Sequence, residues 1–173
     1  LQDCVWIMDR VSIYGPAEIG KHTIIKSGAV IGSEGYSFVE DGEGNLVHAP
    51  HLGNIQIGNQ VWIGANSTIE RGLVDKTIIE DGVKIDDLVH IGKESRIGRN
   101  SLITAGCIIA YRVTIGENVQ LGLNVSVREL INIAGNVVVG QGATVIHDLD
   151  APGTYVGVPA HLLLAKGGKE KKA

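Results

Sequence analysis

Aromatic residues are scarce in this sequence, at one Phe, two Trp and four Tyr among 173 residues. That scarcity suits a narrow core lined by Ile, Val and Leu rather than a wide one filled with rings. Cysteine is nearly absent too, with only Cys4 and Cys107. They have no metal-ligand spacing and need no disulfide, which points to a reducing, cytoplasmic setting. The net charge of −4 lacks the basic excess of a nucleic-acid-binding protein. No apolar run approaches the roughly twenty residues of a membrane-spanning helix, and no secretory signal is visible. The chain begins without Met, already in phase with the pattern described next, and we expect something N-terminal to have been removed.

What is abundant is glycine, at 24 residues, and a period of six. From Ile79 every sixth residue is aliphatic: Ile85, Ile91, Ile97, Ile103, Ile109, Ile115, Leu121, Val127, Ile133, Val139 and Val145. Four residues after each one comes a second small or apolar residue, such as Val83, Val89, Ser95, Cys107 or Val125. The period fits neither a helix nor a plain alternating strand, so it reads as an internal repeat. The paired positions lie two residues apart across each boundary, as in Val89 and Ile91, and share one face of a short strand. His90 between them points outward. Gly, Asn or Asp usually follows, as in Ile97-Gly98-Arg99-Asn100, and tolerates the positive φ of a tight corner. Cys4 falls at such a corner and Cys107 at an inward position.

Earlier hexads begin at Leu1, Ile7, Ile13, Ile19, Ile25 and Ile31, and again at Ile57, Ile63 and Ile69. The whole amounts to about seven coils of three hexads each, an all-β fold stacked at roughly 4.8 Å per coil. Two interruptions stand out. Residues 33–56 leave the period, and Asp41 to Asn45 form a turn cluster between two apolar-polar runs, so a hairpin-like excursion is predicted. Insertions in repeat proteins gather on one face, often the binding face. This one holds Phe38, His48 and His51 and is a site candidate. A four-residue slip follows over Arg71 to Lys76. Residues 1–150 therefore form the repeat body, and 151–173 a C-terminal loop, a short helix from His161 and a basic, frayed tail.

The segments Val11 to Tyr14, Ser27 to Tyr36, Pro50 to Gly53, Ile63 to Gly72 and Lys84 to Ile91 resemble the UDP-3-O-acyl-glucosamine N-acyltransferases of lipid A biosynthesis, within the hexapeptide-repeat acyltransferase family. The likeness runs in order through residues 11 to 100, both interruptions included. Asp150 to Gly153 and Val156 to Ala160 are similar to the endings of acetyl-CoA-dependent members. The resemblance implies a left-handed parallel β-helix, an exception to the usual right-handed crossover. It also implies a homotrimer with active sites in clefts between prisms, the donor's pantetheine arm running along the coils. In the lipid A enzymes the general base is the second histidine of a segment reading His-Ile-Ala-His-Asn. Here that segment is His90-Ile91-Gly92-Lys93-Glu94, so Lys93 occupies the catalytic position, and a second functional histidine falls at Leu130. The uridine-binding domain and the long helical extension of that family lie outside this sequence.

Acyl transfer from a thioester needs a base for the nucleophile's proton and a donor for the tetrahedral oxyanion. A histidine, ordinarily near about 6.5, is mostly neutral at pH 7; a lysine, near about 10.4, is ordinarily a poor base but a fair partner for an anion. The candidates for catalysis are His90 and Lys93. His51, His48, Phe38, Asn66 and Arg71 are candidates for acceptor binding, and Gly92, Gly106, Gly157 and Pro159 for the donor. His22, His147 and His161 read as structural or exposed. The expectation is an acetyl or longer acyl transfer from acetyl-CoA or acyl carrier protein to an amino or hydroxyl group of a nucleotide-linked sugar, with no tightly bound cofactor or metal. The histidines are too scattered for the zinc site of a γ-type carbonic anhydrase, and the threonine ladders of an ice-binding surface are missing. The competing reading is a non-catalytic, regulatory trimer that lost its base.

Overall fold

The computed structural model describes residues 1–163. Short strands follow one another around a triangular coil, three to a turn. The first coil holds β1 (Trp6–Ile7), β2 (Ser12–Ile13) and β3 (Ala17–Ile19). The second holds β4 (Ile24–Ile25) and β5 (Val30–Ser33), an inserted hairpin of β6 (Phe38–Glu40) and β7 (Leu46–His48), then β8 (Asn54–Ile57). The third comprises β9 (Trp62–Ile63), β10 (Thr68–Glu70) and β11 (Lys76–Ile79), and the fourth β12 (Lys84–Ile85), β13 (His90–Ile91) and β14 (Arg96–Ile97). The fifth has β15 (Leu102–Ile103), β16 (Ile108–Ile109) and β17 (Thr114–Ile115); the sixth has β18 (Gln120–Leu121), β19 (Ser126–Val127) and β20 (Asn132–Ile133). A seventh, β21 (Val137–Val139) and β22 (Thr144–Val145), closes at Leu149, which bridges Ile133. β23 (Gly153–Val156) and β24 (His161–Leu162) finish the described chain.

Apart from the hairpin β6–β7 and the antiparallel β24, these strands stack in parallel into three sheets, the faces of a prism. The first face runs β1-β4-β9-β12-β15-β18-β21-β23-β24, the second β2-β5-β10-β13-β16-β19-β22, and the third β3-β8-β11-β14-β17-β20. Register follows the hexads: Ile69, Ile91, Ile109, Val127 and Val145 pair in succession up the second face, all buried. Each fully buried aliphatic side chain contributes about 1.5–3 kcal/mol. Buried Ser95 and Ser101 fit this apolar column because each hydroxyl donates to a carbonyl, of Ala110 and Gly116, at 3.0 Å. Ile13, in the first coil, is 38% exposed despite its hexad position.

Two expectations change in detail. In Ile97-Gly98-Arg99-Asn100 the positive φ belongs to Asn100, at 56°, and not to Gly98. Gly98 serves close stacking instead: a Cβ there would lie 2.5 Å from the carbonyl carbon and oxygen of Gly116 in the next coil. The predicted helix from His161 is also corrected. His161 and Leu162 form β24, antiparallel to β23, with Leu162 opposite Tyr155. The free edge of β23 offers backbone partners that a helix start would leave unpaired. The remainder of that predicted helix lies outside the described residues. Among the described residues there is no helix, and none long and apolar enough to cross a membrane.

Candidate active site

Both interruptions of the repeat emerge at one edge of the prism. The hairpin leaves the second face after β5 and returns to the third at β8, and the slip between β10 and β11 does the same one coil later. His90, on β13, is outward because its neighbours Val89 and Ile91 are inward and buried. It sits above Thr68 and below Ile108 on the second face. Just before it, Asp87 anchors the corner, accepting from Lys26 Nζ at 2.8 Å and from the Ala65 amide at 2.6 Å. Those two bonds hold its carboxyl below the ordinary value.

The register on the second face slips between Ile69 and Glu70, setting Glu70 opposite Ser33. In the register with β13, Glu70 follows Ile69 and lies under Gly92, from where its carboxylate reaches the histidine. One oxygen lies 3.7 Å from His90 Nε2, and the other accepts from the Lys93 amide at 3.1 Å. Lys93 Nζ donates to the Tyr36 carbonyl at 2.9 Å and sits 5.3 Å from the centre of the Tyr111 ring. Tyr36, Glu70, His90, Gly92, Lys93, Ile108, Ala110 and Tyr111 line an open groove of about 330 Å³. It sets an imidazole beside a carboxylate, with a cation in the same groove and an apolar floor.

A second cluster pins the hairpin to the coils. Arg71 bonds Glu34, whose other oxygen is 3.3 Å from His48 Nδ1. His48 Nε2 donates to the Gly35 carbonyl at 3.4 Å. Buried His51 accepts from the Gly35 amide through Nε2 and donates to the Ala49 carbonyl through Nδ1, both at 3.2 Å. Partial desolvation raises the Glu34 carboxyl, but the Arg71 bond and charge and the His48 ring outweigh it and hold the pKa below the ordinary carboxylate value. Donor atoms of Glu34, His48 and His51 lie within 4.8 Å of one another, the spacing of a potential metal site. The Arg71 cation on Glu34 opposes a metal there, and both His51 nitrogens already have backbone partners.

The other sequence candidates are placed as follows. Phe38 packs edge-on against Tyr36 and His48. Asn66 forms a corner between the first and second faces, at φ 55°. Gly92 and Gly106 lie at opposite edges of the second face, on either side of the His90 column. Gly157 accepts from the Thr144 amide at 3.2 Å and Ala160, beside Pro159, donates to the Thr144 carbonyl at 2.8 Å, so both donor candidates cap that column. Sequence reasoning missed Tyr36, Glu70 and Tyr111. Coil arithmetic would have found two: Tyr111 is Lys93 plus one 18-residue coil, and across the slip the offset is 22, which sets Glu70 under Gly92.

Comparison with known proteins bears on the repeat and the fold. The bacterial transferase hexapeptide family (six repeats) matches residues 1–33 and 76–111. A UDP-3-O-acylglucosamine N-acyltransferase of Coxiella burnetii (strain Dugway 5J108-111) is 51% identical over 80 residues, 46% of this chain and 23% of that protein. The probable mitochondrial UDP-3-O-acylglucosamine N-acyltransferase 2 of Arabidopsis thaliana is 41% identical over 142 residues, 82% of this chain and 47% of its own. The chain thus spans less than half the length of these relatives. A UDP-N-acetylglucosamine acyltransferase of known structure superposes with a TM-score of 0.81 at 23% identity, over 91% of this chain and 59% of its own. The Arabidopsis UDP-N-acetylglucosamine acyltransferase gives 0.72 at 18% identity, over 92% and 69%. The shared fold is the left-handed parallel β-helix.

Proposed function

The chain carries the bacterial transferase hexapeptide repeat, and from that premise we propose that it is an acyltransferase. It moves an acetyl or longer acyl group from a thioester donor to an amino or hydroxyl group of a nucleotide-linked sugar. The observation that carries this reading is His90, aimed into an open groove with Glu70 at 3.7 Å and Lys93 alongside. His90 Nε2 takes the proton of the acceptor as its nitrogen or oxygen attacks the thioester carbonyl. Glu70 stabilises the imidazolium so formed. The tetrahedral intermediate then collapses, the C–S bond breaks, and the departing thiolate takes the proton from His90. Lys93 supplies a cation for the oxyanion or for acceptor phosphate.

The donor's arm runs along the column His90, Ile108, Ser126 and Thr144 towards Gly157 and Pro159, which cap its end. Three strand spacings of about 4.8 Å make this a path of roughly 14 Å. Acetyl-CoA is the donor this path fits, with acyl carrier protein as the alternative carrier. The groove is open, and a homotrimer would supply its second wall. We place the protein in the cytoplasm, where exposed Cys4 stays reduced.

The test is thiol release from acetyl-CoA against a panel of UDP- and dTDP-linked amino sugars. Wild type is expected to turn over, and His90→Ala to lose about 10²–10⁴-fold in kcat. Turnover that survives His90→Ala moves the base to Lys93 or His51. No turnover with any acceptor, long-chain acyl donors included, leaves the regulatory trimer and ends the enzyme reading.

A further inference from the structure

Gly35 lies at the root of the inserted hairpin, between β5 and β6. Its backbone does not call for glycine, because its φ is not positive. What calls for glycine is space. A Cβ at this position would fall within 3.0 Å of the Glu70 carboxyl carbon and of both its oxygens. The bare Cα is therefore the surface on which the Glu70 carboxylate rests. One of those oxygens faces His90 Nε2 at 3.7 Å, and the other accepts from the Lys93 amide at 3.1 Å.

Gly35 is itself held at both its amide and its carbonyl. The amide donates to His51 Nε2 at 3.2 Å, and the carbonyl accepts from His48 Nε2 at 3.4 Å. His51 is 3% exposed, donates through Nδ1 to the Ala49 carbonyl and stacks on His48 at 5.7 Å and 14°. With both ring nitrogens committed to backbone, His51 has no polar atom left for an acceptor. One residue beyond Gly35, the Tyr36 carbonyl receives Lys93 Nζ at 2.9 Å.

We propose that Gly35 and His51 are positioning residues for the His90 groove: His51 fixes Gly35, and Gly35 sets the Glu70 carboxylate beside His90. This role rests on the reading of the groove as an acyl-transfer site, in which Glu70 stabilises the imidazolium of His90. A carboxylate already in place when charge develops contributes more than one that must first be gathered there. The Gly35 backbone on one side and the Lys93 amide on the other hold Glu70 in that place. Gly35→Ala meets the end of a flexible side chain rather than backbone, so the coils should fold while Glu70 moves away.

Two readouts test this in the whole chain, on wild type, Gly35→Ala, His51→Leu, His51→Gln and, at the hairpin tip, Gly42→Ala. The first is amide hydrogen exchange at Lys93, followed by NMR, because that amide bonds to Glu70. Gly35→Ala and His51→Leu are expected to accelerate it roughly 10- to 100-fold, the range of a lost hydrogen bond to a charged group. The His90 amide, bonded to the Cys107 carbonyl, should keep its rate. The second is thiol release from acetyl-CoA. In both variants kcat should fall about 10²-fold, the cost of a small misplacement at the reacting centre. KM for acetyl-CoA should stay within about twofold, because donor binding is untouched. His51→Gln should keep both readouts within about threefold, since its amide offers one acceptor and one donor as the ring does. Gly42→Ala should match wild type.

Lys93 exchange at the wild-type rate in Gly35→Ala overturns the proposal, and so does faster exchange with kcat unchanged. A His51→Gln variant as impaired as His51→Leu overturns the assignment of His51. Wild type that releases no thiol refutes the transferase and not the placement of Glu70, which the Lys93 exchange rates decide without turnover.

Discussion

Glycine and asparagine divide the work of each corner between them. Asn100 takes the positive φ, and Gly98, two residues earlier, lets consecutive coils approach until backbone meets backbone. Gly98 does not have a positive φ, so alanine fits its conformation and fails only on space. Gly98→Ala is therefore expected to cost about 1–3 kcal/mol, the range of an overpacked core. Gly42, at the hairpin tip, has nothing within 4 Å of a Cβ. Gly42→Ala should be neutral or stabilising by up to about 1 kcal/mol through the unfolded chain. Urea denaturation of the two variants beside wild type decides the matter. Equal midpoints would show that coil spacing relaxes to admit a methyl group.

Among the elements, the hairpin β6–β7 is the one held by charges rather than by the column. Its tie is Glu34, bonded to Arg71 and facing His48. The folded carboxyl lies below its ordinary value of 4.5, so the tie contributes stability above that value and loses it as pH falls through the lower, folded value. Asp41, held low by the Asn45 and Glu43 amides at the tip, has the same sign. Hydrogen exchange at Val39 and Val47 should accelerate as pH drops below about 4.5, after correction for intrinsic rates, while Ile103 in the middle coils does not change. Glu34→Gln should remove most of that step, leaving the part due to Asp41. A step of undiminished size in Glu34→Gln would mean that the hairpin is held some other way. The hairpin itself was legible from the turn cluster Asp41 to Asn45 between apolar runs. The tie was not, because Glu34 and Arg71 are 37 residues apart and meet only once the slip and the insertion emerge at one edge.

At the scale of the whole molecule, the hexad made the prism readable because every inward position repeats the same constraint: a small or aliphatic side chain stacked on its copy one coil away. The His90 groove was half readable for the same reason. His90 and Lys93 lie in the repeat and Glu70 falls under Gly92 once the slip over Arg71 to Lys76 is counted, whereas Tyr36 arrives through an insertion that no period locates. The three faces also differ in what they turn outward. The third shows Glu18, Gln56, Arg96, Thr114 and Asn132 along most of its length. The first shows Trp6, Ile24, Trp62, Leu102 and Val138, interrupted by Lys84 and Gln120. Beside Trp62 and Leu102 lies a hollow of about 330 Å³ lined mainly by apolar surface. Monomeric proteins rarely leave such a stripe bare. Self-association through this face is therefore expected, and light scattering after gel filtration should return three times the chain mass of 18.3 kDa. Trp62→Glu, placing a charge at the centre of the stripe, should shift the protein to monomer while the circular dichroism of the coils stays the same. A monomeric wild type at micromolar concentration would refute the trimer. A Trp62→Glu variant that remains trimeric would move the contact to another face.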